Sequence, residues 1–101
     1  MKALIIEGYL IHTEELEETQ EAIEKRLGCA SGCSTSMELR DNAVMFTDRE
    51  APGRVFSPHN AYASLVAGQQ VYGCAIIVGK GFTDVPARYI QMLEWNDGLR
   101  I

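Results

Sequence analysis

The sequence predicts an α+β domain: a mixed or antiparallel sheet of four to five strands with two helices packed on one face. Three observations lead there. Residues 3–6 and 71–79 are apolar at successive positions, the pattern of strands buried on both faces. Residues 13–27 and 85–93 repeat apolar side chains at helical spacing, and residues 37–46 alternate apolar and polar around a turn.

Taken in order, Ala3-Leu4-Ile5-Ile6 is the first strand, bounded by Lys2 and Glu7, after which Gly8 loosens the chain. A helix is expected from Thr13 to Leu27. Leu16, Ile23 and Leu27 share one face with Ala22 beside it, and glutamates fill the other. Thr13 suits the cap, Glu14 and Glu15 the positive end, Lys25 and Arg26 the negative end, and Gly28 the left-handed stop. The small polar stretch Cys29-Ala-Ser-Gly-Cys-Ser-Thr-Ser36 reads as a loop, with no glycine pattern of a phosphate cradle.

Met37 and Leu39 alternate with Glu38 and Arg40, Asp41-Asn42 turns the chain, and Val44 and Phe46 alternate on the way back, which makes a hairpin. A second turn over Asp48–Arg54, with Pro52-Gly53, leads to a short Val55-Phe56 strand. Ser57 to Tyr62 reads as an irregular segment rich in hydrogen-bonding groups, where a scaffold displays functional side chains; the plainer reading is that His59 and Asn60 satisfy loop backbone and Tyr62 packs. The run 71–79 is the central strand. Asp84 then caps a last helix with Pro86 in its first turn and Val85, Tyr89, Met92 and Leu93 on its apolar stripe, closed by Asn96-Asp97-Gly98.

At 101 residues the chain makes a single domain, residues 1–101, large enough for a core without metal or disulfide staples. No apolar run reaches the roughly 18 residues of a membrane span, and Glu7 interrupts the opening apolar run too early for a signal peptide. A cytoplasmic protein is expected. Three cysteines cannot all pair within one chain, so Cys29, Cys33 and Cys74 are expected as reduced thiols. A tetrahedral metal site from Cys29, Cys33, Cys74 and His59 or His12 would need distant segments to converge without paired spacing, and no metal or other cofactor is expected. Nor does any nucleophile, base and acid fall into a recognisable set: His59 with Cys29 or Cys33 lacks a fixed relation, and Ser57 and Ser64 lack a nucleophile elbow. Catalytic residues are not expected, and the protein is not expected to be an enzyme.

A net charge of −5 disfavours direct contact with nucleic acid. The acidity is local, for residues 1–24 carry Lys2 against seven glutamates. Glu14, Glu17, Glu18 and Glu21 are therefore the candidate partner-binding residues, a negative face for a basic groove, where the plainer reading is a solvated helix surface. Because two helices on one face leave the other face of the sheet bare, its cover is expected from loop 57–70 folding back or from a second chain, as in a homodimer.

Three stretches together resemble the family catalogued as domain of unknown function 3846, found in phages, plasmids and other bacterial mobile elements. They are Lys2-Ala3-Leu4-Ile5-Ile6-Glu7, the Thr47-Asp48-Arg49-Glu50 turn leading to Pro58-His59-Asn60, and Gly73 to Gly79 followed by Phe82-Thr83-Asp84. The family's arginine after the asparagine is replaced here by Ala61. The resemblance implies a mobile-element setting and no catalytic residues. In that setting the expected function is a small acidic inhibitor of a bacterial defence system, of the anti-CRISPR kind, acting by contact with a host protein such as a defence nuclease. The alternative is sequestration of a small nucleotide signal at a dimer interface by Arg54, His59, Asn60 and Tyr62, since guanidinium and ring groups suit phosphates and bases.

Overall fold

Alternation along β1 (Lys2–Glu7) sends Ala3 and Ile5 to one side of a sheet and Leu4 and Ile6 to the other, and all four are fully buried. A computed structural model describes residues 1–7, 10–53 and 58–91. In it β1 pairs with β2 (Leu10–Glu15) and with β5 (Ala75–Gly79), while β4 (Ala43–Asp48) lies between β5 and β3 (Ser34–Leu39). The order is β2-β1-β5-β4-β3 and every pairing is antiparallel. The α+β expectation holds, in its antiparallel form and with five strands.

The helices do not share one face. Ile23 and Leu27 of α1 (Gln20–Leu27) pack on Ala3, Ile5, Phe46, Ile76 and Val78. Ala63 and Val66 of α2 (Ala61–Ala67), with Tyr89 and Ile90 of the helical residues 87–91, pack on Leu4, Ile6, Met45 and Ile77 on the opposite side. Both faces of the central strands are thus closed within the chain. Residues 58–70 fold back as the cover, in line with one of the two sequence expectations, and a second chain is not needed for that purpose.

The expected Thr13–Leu27 helix is a strand followed by a shorter helix. Residues 10–15 pair with β1 along its whole length, from Lys2 opposite Glu15 to Glu7 opposite Leu10, and bury Ile11. Sheet pairing overrides helical spacing here, because the hairpin buries Ile11 and satisfies the backbone together. The Leu16 amide still reaches the Met1 carbonyl at 2.9 Å. The helix cap is Thr19 rather than Thr13, its hydroxyl accepting from the Ala22 amide, and Gly28 closes the helix in the left-handed region as expected.

The hairpin at Asp41-Asn42 is present, with a three-residue connection in which both residues have positive φ. Asp84 does not cap the last helix; its carboxylate accepts from the Lys2 amide at 2.7 Å and ties residue 84 to the start of β1. The expected Val55-Phe56 strand and the end of the last helix, with Met92, Leu93 and Asn96-Asp97-Gly98, lie outside the described residues.

Beyond β5 the chain doubles back tightly. Gly79 and Thr83 exchange backbone hydrogen bonds of 2.8 and 3.2 Å, and Phe82, at φ 58°, stacks on Phe46 with ring centroids 6.0 Å apart. A Cβ on Gly79 would stand 2.5 Å from the Asp84 carbonyl oxygen, so Gly79→Ala must push that turn off the sheet. We expect it to lower stability by about 2 kcal/mol or more, read as a drop in the urea midpoint with an unchanged slope.

Candidate functional site

Strand parity and one helix position build a polar cluster between α1 and the β1–β2 hairpin. Glu7 on β1 and His12 and Glu14 on β2 project to the face covered by α1, and Arg26 of α1 lies over them. The Arg26 guanidinium donates to Glu14 at 2.8 and 2.7 Å and to Glu7, while His12 Nε2 lies 2.6 Å from Glu14. Hydrogen bonds from Arg26 and then His12 hold the Glu14 carboxyl down at about 2, and the guanidinium pKa is raised in return.

Among the described residues, Glu7, His12 and Glu14 are also the one group of three possible metal donors, with ligand atoms within 4.8 Å of one another. Their charge is already met by a resident cation, because an Arg26 nitrogen bonds both carboxylates. The cluster is therefore a clasp between α1 and the β1–β2 hairpin. Glu14 belongs to this clasp and not to an open acidic face.

Glu24 falls on the polar side of the helical pattern, yet it is 4% exposed. Its carboxylate accepts from the Ser34 hydroxyl at 2.7 Å and from the Gly32 and Ser34 amides at 3.0 and 3.2 Å, with Gln20 at 3.4 Å. These bonds, led by the Ser34 hydroxyl, hold its pKa below the usual carboxylate value. The loop after α1 is shaped around this buried charge. By contrast Glu15, Glu17, Glu18 and Glu21 are exposed, and Glu17, Glu18 and Glu21 have no cationic partner among the described residues.

Of the four residues expected around a nucleotide, the three described ones, His59, Asn60 and Tyr62, are not brought together. Arg54 lies outside the described residues. Asn60 is 1% exposed and fully used: its side-chain amide donates to the Ile6 and Gly73 carbonyls at 2.9 and 2.8 Å, and its oxygen caps α2 by accepting from the Ala63 amide. His59 is exposed, with its ring edge on Tyr72 and Nε2 3.1 Å from the Ser64 hydroxyl. Tyr62 faces a different space, a groove taken up below.

The Ser64–His59 distance would suit a nucleophile and its base. Ser64 Oγ, however, donates to the Asn60 carbonyl at 2.7 Å and accepts from the Val71 amide at 2.8 Å, so it ties α2 to the segment leading into β5. Among the described residues the three thiols belong to no group of three or more close metal donors. Burial pushes Cys29 up, and Cys74 is pushed up to about 11, chiefly by burial.

A groove of about 900 Å³ lies on the α2 face, with Ile11, Leu39, Tyr62, Leu65, Val66 and Tyr89 as its apolar lining. Glu38, Arg40 and Arg88 supply the charged groups. No protein-family model, curated protein or solved structure matches the chain.

Two outcomes are expected. Asn60→Asp is isosteric but loses both donors and sets a carboxylate against two carbonyls, and should lower stability by about 3 kcal/mol in urea titrations at pH 7. The second concerns pH. Because the Glu14 carboxyl is depressed from its ordinary 4.5 to about 2, its contribution is full above pH 4.5 and is lost as the pH falls towards 2. Arg26→Ala should cost about 1 kcal/mol at pH 7, both side chains being near one-third exposed, and should flatten the acid limb of the stability profile.

Proposed function

We propose that the protein works by contact, as a small acidic binding protein of a phage or other mobile element, and that it inhibits a bacterial defence nuclease by docking against the nuclease's basic channel. One observation carries this reading. Glu17, Glu18 and Glu21 stand exposed within five residues of one another at the entry to α1, none balanced by a cation of its own chain among the described residues. Open carboxylates of this kind speed encounter with a positive surface and set its orientation. The family resemblance of the three stretches named above supports the mobile-element setting. The buried Glu24 and Asn60 and the partly buried Arg26 and Ser64 are each satisfied by neighbours, and this supports recognition over catalysis.

The geometry refines the docking set. Glu14 is held by Arg26 and serves the fold, so the proposed contact residues are Glu17, Glu18 and Glu21, with Glu15 beside them. The triple variant E17K/E18K/E21K should fold as the parent does and lose inhibition of cleavage by a purified defence nuclease at least tenfold. Raising salt from 50 to about 300 mM should weaken parental binding in the same direction, because exposed pairs are screened. Inhibition unchanged in the triple variant across a panel of such nucleases would remove the acidic edge from the mechanism.

A further inference from the structure

We infer that the groove on the α2 face is a binding site for a small amphipathic monoanion, an extended apolar body ending in one carboxylate. Its volume of about 900 Å³ lies within the range of pockets that enclose small molecules. Its lining is chiefly apolar, and on α2 the groove includes Leu65, which is 81% exposed and gains cover only if something lies beside it. Together with Ile11, Leu39, Tyr62, Val66 and Tyr89 it makes the apolar wall continuous along the groove.

The head group follows from the charges around the groove. Glu38 is paired with Lys80 at 3.4 Å, and Arg88 with Asp41 at 3.1 Å. Arg40 has no carboxylate partner among the described residues, and the Tyr89 hydroxyl, donating to the Arg40 carbonyl at 2.7 Å, fixes its backbone beside the lining. The groove thus offers a single uncompensated positive charge beside apolar walls. A neutral chain leaves that guanidinium unused and a cation is repelled by it. A monoanion satisfies both, through a charge-assisted hydrogen bond of the kind a guanidinium makes with a carboxylate or phosphate. The site lies on the sheet face opposite α1, so it stands or falls apart from the proposed acidic contact.

Calorimetric titration of the whole chain with dodecanoate, dodecanol and dodecyltrimethylammonium, each below its micellar concentration, tests this. Dodecanoate is expected to bind at one site per chain and at least tenfold more tightly than dodecanol, with no saturable heat from the cation. Arg40→Gln should remove that preference by roughly tenfold, and Leu65→Asp should weaken dodecanoate by a similar factor. Both positions are exposed, and matched urea midpoints will show that the variants fold. Absence of saturable binding by dodecanoate, equal affinity for dodecanol, or indifference to Arg40→Gln would each overturn the inference.

Discussion

The strands β1 and β5 are buried on both faces, and most of the structure follows from that. Ala3 to Ile6 and Ala75 to Gly79 leave almost no surface to solvent, so a chain with helices on one face alone would expose half of this apolar area. Burying an isoleucine is worth roughly 1.5–3 kcal/mol, and Leu4, Ile5, Ile6, Ile76 and Ile77 are all fully buried. The connections are arranged accordingly. The crossing from β2 to β3 carries α1 over one face and the crossing from β4 to β5 carries α2 over the other, while residues 85–90 return to the α2 side through Val85, Tyr89 and Ile90.

Each cover is then fastened by a polar group reaching from a helix or its cap into the sheet. Arg26 joins α1 to Glu14 and Glu7, and Asn60 joins the start of α2 to the end of β1 and to Gly73. The two fastenings differ in kind. Arg26 and its partners are about one-third open to water, where ion pairs contribute little and are screened. Asn60 is sealed, where a missing partner costs the full desolvation of whatever is left unpaired. The asparagine therefore sets the position of α2 more stringently than the arginine sets that of α1, despite carrying no charge.

This contrast also explains what was legible in the sequence. The continuous apolar runs announce double-sided burial and the central place of β5, while the turn at Asp41-Asn42 is read from the alternation of Met37, Leu39, Val44 and Phe46 on either side of it. Period alone could not separate helix from strand over residues 10–15, where Ile11 and Leu16 fit either pattern and pairing with β1 decides. The helix at 61–67 is seven residues long, too short to show periodicity, but Asn60 before it and Gly68 after it are a cap and a left-handed stop that mark its ends. The clasp of Glu7, His12, Glu14 and Arg26 needed the hairpin first, since only strand parity puts Glu7, His12 and Glu14 on one face. Glu24 shows the limit of charge counting: a carboxylate on the polar side of a helical pattern turns inward once Ser34 and the amides of Gly32 and Ser34 are folded against it.

The acidity of the first 24 residues consequently divides into two populations with different work. Glu7, Glu14 and Glu24 are spent on the fold, held by a guanidinium, a hydroxyl and backbone amides whose directions leave those carboxylates committed. Glu17, Glu18 and Glu21 carry the charge that a partner would meet, and they do so from the bend before α1 and its first turn, where Glu21 also lies favourably near the positive end of the helix. A surface charge left without a counter-ion does little for stability and disfavours self-association. On the opposite face Arg40 is likewise a charge with no carboxylate partner among the described residues, set beside apolar walls.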